Sequence, residues 1–305
     1  MREALVVGYG SIGRRHSAVL TKLGMRVSVV SRREVSHPFV PFRSLDEALQ
    51  AARYDYVVLA TETVAHLTNL EKLELLGYRG KVLVEKPLFA QSAAFPASFQ
   101  MSIYVGYQLR FHPVMRALRE LIAGDDCIAA DFYVGQHLDL WRRDRDSHQT
   151  YSSKAAWGGG VLRDLSHELD LAVWLFGACN WIAALGGRLS ELTVDSDDTW
   201  GILGQFKRCS VVTLQLNYLD RIGQRTMTVI TRNQTIRADL VAGTLVRNGE
   251  TTDLKVGRDE PIEAMHRSIV DGGGEDACGG EAGLQVVDMI GAIERAAGSK
   301  TWIAL

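Results

Sequence analysis

Three clusters of residues could do chemistry. Lys86 closes the run Val82-Leu83-Val84-Glu85-Lys86-Pro87, an apolar strand pattern stopped by a proline. Its ammonium would stand at the carboxyl end of a strand, the edge on which open α/β sheets hold their ligands. Near the amino terminus, Gly8-Tyr9-Gly10-Ser11-Ile12-Gly13 follows the apolar run Leu5-Val6-Val7 and opens a helical pattern. In such a turn the first glycine permits a tight bend and the second leaves room for a pyrophosphate. The third lets helix and strand pack closely, and the helix head favours the anion. The third cluster is Gly158-Gly159-Gly160 leading through Asp164 and His167 to Asp170. On one helix these three polar residues fall three apart on roughly one face, with Leu165, Leu169, Ala172 and Val173 toward a core.

A histidine between carboxylates can be oriented and kept basic near neutral pH, which suits a general acid/base. A lysine beside a nicotinamide can hydrogen-bond a reacting hydroxyl and stabilise developing alkoxide charge. Each cluster also has a plain structural reading: a glycine turn without ligand, a surface lysine after a strand, and a packed histidine with Asp164 as a helix cap.

The cofactor type is read after the second strand. NAD enzymes usually place an acid there to bond the ribose hydroxyls. Here Ser31-Arg32-Arg33 occupies that position. Two guanidinium groups suit a 2′-phosphate by charge and bidentate geometry, so NADP(H) is the expected cofactor. Glu34 keeps NAD(H) open.

These residues need a scaffold. Short apolar runs at 5–7, 27–30, 56–60, 82–84 and 103–105 read as strands buried on both faces. Helical stretches at 13–23, 45–52 and 64–76 lie between them, which implies right-handed crossovers and a doubly wound sheet. After Tyr107 the pattern changes to a helix at 113–123, a strand at 128–137 and an amphipathic helix at 164–176, then mostly strand from 181 to 254. In the run 212–218, Val212, Leu214, Leu216 and Tyr218 point one way, and Thr213, Gln215 and Asn217 the other, the period of an antiparallel sheet with one drier face. The expected class is α/β: a Rossmann dinucleotide-binding domain over 1–106, then an α+β domain over 107–305 with a large, open, mostly antiparallel sheet. A final helix at 281–297 can pack back on the first domain.

A chain of 305 residues suits two domains, and 47% hydrophobic with 23% charged residues is a globular composition. Thirty-four Lys and Arg against 36 Asp and Glu leave a net charge of −2, which gives no electrostatic case for nucleic acid or an anionic membrane. Cys127, Cys179, Cys209 and Cys278 are far apart, so reduced thiols in a cytoplasmic protein are expected rather than disulfides or a metal site. The start of the chain reads as a first strand rather than a secretory signal.

The glycine turn followed by His16, then Thr61 with His66, then Glu85-Lys86-Pro87, resembles the Gfo/Idh/MocA family of oxidoreductases. Gly106-Tyr107-Gln108-Leu109-Arg110-Phe111-His112-Pro113 resembles that family's hinge, and 158–170 its glycine-rich approach to a histidine helix. The resemblance covers nearly the whole chain. It implies reversible oxidation of a sugar, nucleotide-linked sugar or polyol hydroxyl, with hydride passing to or from a nicotinamide. By carry-over, His167 is the acid/base, Lys86 assists at the reacting oxygen and Asp164 supports the site. Gly8, Gly10, Ser11, Ile12, Gly13, Ser31, Arg32, Arg33, Thr61, His66, Glu85 and Lys86 would hold the cofactor. Arg110, His112, Trp141, Arg142 and Tyr151 could bind polar substrate groups. The resemblance also implies a homodimer or homotetramer joined through the second sheet.

Two departures stand out. The family often spaces its acid and histidine as D-x-x-x-H, whereas here Asp164 is three residues before His167. The segment 88–102 is short and contains Pro96, so the usual helix there is expected to be broken or missing. Tyr151-Ser152-Ser153 with Leu165-Ser166-His167-Glu168 resembles a branch associated with surface-carbohydrate biosynthesis. Two other readings remain: a redox-neutral enzyme that keeps its nicotinamide bound, and a cofactor-sensing protein without chemistry.

Overall fold

The computed structural model describes residues 1–93, 99–141 and 151–305. In chain order its strands are β1 (Glu3–Val7), β2 (Arg26–Val30), β3 (Val40–Phe42), β4 (Tyr56–Leu59), β5 (Lys81–Val84), β6 (Ser102–Val105), β7 (Cys127–Gly135), β8 (Cys179–Gly187), β9 (Thr199–Phe206), β10 (Cys209–Asn217), β11 (Gln224–Thr231), β12 (Thr235–Asp239), β13 (Thr244–Arg247) and β14 (Glu250–Asp253). The principal helices are α1 (Ser11–Lys22), α2 (Leu45–Ala51), α3 (His66–Leu75), α4 (Pro113–Ile122), α5 (Val161–Asp164), α6 (His167–Phe176), α7 (Glu260–Val270) and α8 (Gly280–Ser299). Pro96 and Arg142 lie outside the described residues, as do the side chains of Trp141 and Tyr151.

The chain divides into two compact units, Met1–Phe111 with Arg258–Leu284, and His112–Gly257 with Gln285–Leu305. The sequence reading gave 107–305 to one domain, with a return to the first domain considered for the final helix at 281–297. Instead the chain rejoins the first unit at Arg258, because Ile262, Met265 and Ile269 on one stripe of α7 enter the apolar cluster formed by Val6, Val29 and Val58.

In the first unit the sheet order is β3-β2-β1-β4-β5-β6, all parallel, with a short strand Cys278–Gly279 antiparallel on β6. Beyond Glu3 in β1 and Lys81 in β5 the central strands β1, β4 and β5 are apolar, and Val6, Val58 and Leu83 are fully buried. A strand covered on both faces needs that composition. β1 has β2 on one side and β4 on the other, so the strand order reverses there. The crevice at such a switch point, at the carboxyl ends of the strands, is where this sheet type takes ligands.

The second unit is built on the order β14-β13-β12-β11-β7-β10-β9-β8, with Ile303–Ala304 beside β8. β7 and β10 pair in parallel, and the remaining described pairings are antiparallel. Along β9, buried Trp200, Ile202 and Phe206 alternate with exposed residues. Helices α4, α5 and α6 lie against this sheet, while Leu185, Leu203 and Ile230 are exposed. All ten residues of α6 are buried, so the expected amphipathic helix with one wet face is corrected to a helix enclosed all round. No helix among the described residues is long and apolar enough to cross a membrane.

Candidate active site

The three glycines of the first turn do different work. Gly8 has φ +100°, and a Cβ there would lie 2.4 Å from the Ala60 carbonyl oxygen. A Cβ on Gly13 would lie 2.0 Å from the Gly8 carbonyl oxygen. Both positions are closed by backbone. A Cβ on Gly10 would meet no heavy atom within 4 Å. Gly10 is also the N-cap of α1, where no side chain caps the helix and no acid occupies the first turn. The open side of the turn therefore coincides with the helix end that favours an anion, and the residues fit a dinucleotide pyrophosphate. Ser11 is exposed and Ile12 half-buried at this helix head.

At the end of β2 the Ser31 hydroxyl is tucked in and accepts from the Arg33 N–H at 2.9 Å. Arg32, Arg33 and Glu34 are exposed beyond it. A third guanidinium, which the sequence reading did not single out, joins them. Arg43 Nη1 donates to the carbonyls of Arg32 at 3.0 Å and Ser31 at 3.3 Å. The signal for it was weak: β3 has three residues, one a proline, and it is the pairing of Phe42 with Val30 that delivers Arg43 to this edge.

At the end of β5 the Glu85 carboxylate turns inward and lies 3.0 Å from His16 Nε2. Burial pushes the Glu85 pKa up, but the hydrogen bond and electrostatic interaction with His16, followed by the nearby Lys86 charge, bring it below the ordinary value. A Cβ on Gly106 would come within 2.6 Å of Glu85 Oε1, so any side chain there would press on the carboxylate. Lys86 is half-buried, and its peptide bond to Pro87 is cis. His66 braces the following turn: Nδ1 is 3.2 Å and 3.1 Å from the Pro87 and Leu88 carbonyls, and Nε2 is 3.2 Å from the Thr61 carbonyl. Burial lowers the His66 pKa. Asn69 Nδ2 donates to Thr61 Oγ1 at 3.2 Å. Glu85 and His66 thus direct their polar atoms at the chain itself.

The second unit holds the histidine segment. Gly160 has φ +115°, and a Cβ there would fall 1.9 Å from Asp197 Oδ1. Asp197 Oδ2 accepts from the Leu162 N–H at 2.8 Å and from Trp200 Nε1 at 2.7 Å. This carboxylate caps α5, although burial pushes its pKa up. The continuous helix expected over 164–176 is corrected: α5 stops at Asp164 and α6 begins at His167. Between them the bonds tighten to Ser166 N–H onto Arg163 and Glu168 N–H onto Leu165, at 3.4 Å and 3.3 Å. A three-residue step stacks i over i+3 in this tighter winding, which suits the Asp164–His167 spacing.

Asp164 is buried and its Oδ2 accepts from the Tyr218 hydroxyl at 2.7 Å. His167 and Asp170 are buried as well. Glu168, 1% exposed, lies with Oε1 2.8 Å from Arg225 Nε. His112 caps α4, its Nδ1 accepting from the Val114 N–H at 3.2 Å, and burial together with Arg225 lowers its pKa. Arg110 is buried in the first unit. Tyr218, Glu168, Arg225 and Asp197 were not assigned roles from sequence. Tyr218 was visible as a drier-face residue at a strand end, but its partner 54 residues away was not.

A Rossmann-type unit coupled in sequence to a mostly antiparallel sheet unit defines the class of this protein. Residues 115–237 match the model of the GFO/IDH/MocA C-terminal domain. Over those residues the chain is similar to the C-terminal domain of the Gfo/Idh/MocA family. It is 30% identical over 190 residues to the inositol 2-dehydrogenase of Leifsonia xyli subsp. xyli, a match spanning 57% of this chain and 53% of that enzyme. The chain thus matches about half the length of that relative. Its fold is similar to GenD2 from gentamicin A biosynthesis in complex with NAD, at TM-score 0.81 and 22% identity, over 100% of this chain and 96% of that one. It is also similar to the WlbA dehydrogenase of Bordetella pertussis in complex with NADH and UDP-GlcNAcA, at TM-score 0.82 and 18% identity, over 100% and 97%.

Proposed function

We propose that this protein is an NAD(P)-dependent dehydrogenase or reductase acting on a hydroxyl or keto group of a sugar, nucleotide-linked sugar or polyol. The observation that carries the reading is the open approach at Gly10 beneath the uncapped head of α1, flanked by two glycines that backbone contacts require. Gly8, Gly10, Ser11, Ile12 and Gly13 would hold the pyrophosphate, and Thr61 would line the neighbouring strand end. Arg32 and Arg33, with Arg43 beside them, favour NADP(H) over NAD(H), because exposed guanidinium groups suit a 2′-phosphate. The GenD2 and WlbA structures named above are described with NAD and NADH, so the NADP(H) preference is proposed from this chain's own arginines.

When bound, the nicotinamide supplies or accepts the hydride. Lys86 donates a hydrogen bond to the reacting oxygen and stabilises negative charge there. His167 takes the hydroxyl proton in oxidation and returns it in reduction. Asp164, fixed by Tyr218, is the supporting carboxylate. The family tie and the WlbA and inositol dehydrogenase likenesses support a carbohydrate or polyol substrate. A homo-oligomer formed through the exposed sheet face of the second unit is part of the same reading.

The test is a hydride-transfer assay with NADP⁺ and NAD⁺ against a panel of polyols, free sugars and nucleotide sugars. Replacing His167 by Ala should abolish turnover and leave cofactor binding intact. Surviving activity in His167→Ala would remove the acid/base assignment.

A further inference from the structure

Four side chains in the first unit form a buried line that the reaction above does not use. Tyr56 Oη is 3.0 Å from His266 Nδ1, His266 Nε2 is 2.8 Å from His16 Nδ1, and His16 Nε2 is 3.0 Å from Glu85 Oε1. Tyr56 is 1% exposed and both histidines 0%. The members come from β4, α7, α1 and the end of β5, so the line ties distant segments of the chain together.

Hydrogen-bond accounting gives the line one direction. A carboxylate only accepts, so with Glu85 ionised it is His16 Nε2 that donates across the 3.0 Å contact. A neutral His16 ring then accepts at Nδ1, which makes His266 Nε2 a donor. His266 Nδ1 in turn accepts, and the Tyr56 hydroxyl donates. Burial, with a smaller effect of the neighbouring His16, lowers the His266 pKa strongly, in keeping with a neutral His266 ring. A doubly protonated His16 would reverse every bond and aim a His266 N–H at the Tyr56 oxygen. The Tyr56 hydroxyl proton would then lose its acceptor, since among the described residues its hydrogen-bond partner is His266. Tyr78 and Tyr104 also face Tyr56, and Lys86 and His66 face Glu85. The line ends on a core tyrosine, so it holds protons in place rather than conducting them to solvent. At its other end the carboxylate packs against Gly106, where a Cβ would come within 2.6 Å of Glu85 Oε1.

We propose that Tyr56 and His266 are positioning residues. Through His16 they fix the Glu85 carboxylate and, with it, the turn that carries Lys86. The consequence for turnover rests on the reading of Lys86 above; the consequence for the turn does not.

The test uses Tyr56→Phe, His266→Leu and His266→Gln in the full chain. Nitrogen-15 NMR of the histidine rings should find His16 and His266 neutral with the proton on Nε2. Amide hydrogen exchange at 83–88 should quicken about tenfold in Tyr56→Phe and His266→Leu, relative to 212–217 in the second unit. Glutamine can accept and donate at once, so His266→Gln should restore the rate to within about threefold. Turnover should follow, with kcat falling about tenfold and KM unchanged in Tyr56→Phe, and recovering in His266→Gln. Tyr56→Phe keeps the ring volume, so the test does not depend on His266→Leu folding. Unchanged exchange at 83–88 in Tyr56→Phe, or a His16 ring protonated on both nitrogens, overturns the proposal. If exchange responds as expected while the wild-type chain transfers no hydride, the positioning stands and the proposed reaction fails.

Discussion

The Tyr218 hydroxyl donates a 2.7 Å hydrogen bond to Asp164 Oδ2 inside the second unit, with both residues buried. The bond joins the end of the central strand β10 to the last residue of α5, just before the turn into His167. Removing the hydroxyl leaves a buried carboxylate short of a donor, which costs about 1–3 kcal/mol. Tyr218→Phe should therefore lower the urea-unfolding free energy by that amount. If Asp164 supports the acid/base, kcat should also fall by about tenfold or more, with cofactor affinity unchanged. A full loss of stability with no change in kcat would make the bond purely structural.

The glycine turn predicts a split between stability and binding. At Gly13 a methyl group would meet the Gly8 carbonyl oxygen at 2.0 Å, and backbone cannot yield cheaply there. Gly13→Ala should lower the melting temperature and weaken cofactor binding together. At Gly10 the same methyl group enters open space. Gly10→Ala should fold with its melting temperature within a few degrees of wild type and lose most cofactor affinity. Thermal unfolding and a fluorescence titration read the two effects separately. Undiminished binding in Gly10→Ala would show that nothing occupies that space.

Local pattern carried much of this architecture. Buried parallel strands leave continuous apolar runs, so the strands ending at Val7, Val30, Leu59 and Val84 were legible, and with them the positions of Gly8, Ser31 and Lys86 at strand ends. Alternation made β10 legible. What was lost lies at long range. Neither His266 nor the 258–284 return carries a local sign that it belongs to the first unit, because its contacts are long-range: Ile262, Met265 and Ile269 pack with Val6, Val29 and Val58, and His266 meets His16 250 residues away. The break between Asp164 and His167 was hidden by good helix formers on both sides. The cap on the head of α5 was equally hidden, because Asp197 lies 35 residues from Leu162.

The cofactor edge gives a prediction about charge. Arg32 and Arg33 are exposed at the end of β2, and Arg43 is anchored on the carbonyls between them. Charge-assisted bonds to a phosphate are each worth about 1.5–3 kcal/mol. The double substitution Arg32→Ala with Arg33→Ala should raise the Kd for NADPH at least tenfold, by roughly that energy. The Kd for NADH should stay within about twofold, and added salt should weaken NADPH binding in wild type more than in the variant. Tighter NADH than NADPH binding by the wild-type chain would overturn the assignment of these arginines.

Three histidines share a cause that makes stability depend on pH. Burial lowers the pKa of His66 and His266 in the first unit and of His112 in the second. In the unfolded chain each titrates near about 6.5. Below that value the unfolded state binds protons that the folded state refuses, so the folded state is favoured as pH rises. Their contribution is complete above about pH 6.5 and is lost progressively as pH falls toward the folded values. Glu85, whose pKa is also lowered, adds a separate loss in the acid range of carboxylates. Urea unfolding at pH 7.5, 6.5 and 5.5 should therefore show declining stability. Below pH 6.5 the slope should approach about one proton per histidine. His266→Gln removes one titrating group and should flatten the slope in the first unit by about one proton. A flat profile from pH 7.5 to 5.5 would mean that these rings take up protons in the folded protein as readily as in the unfolded chain.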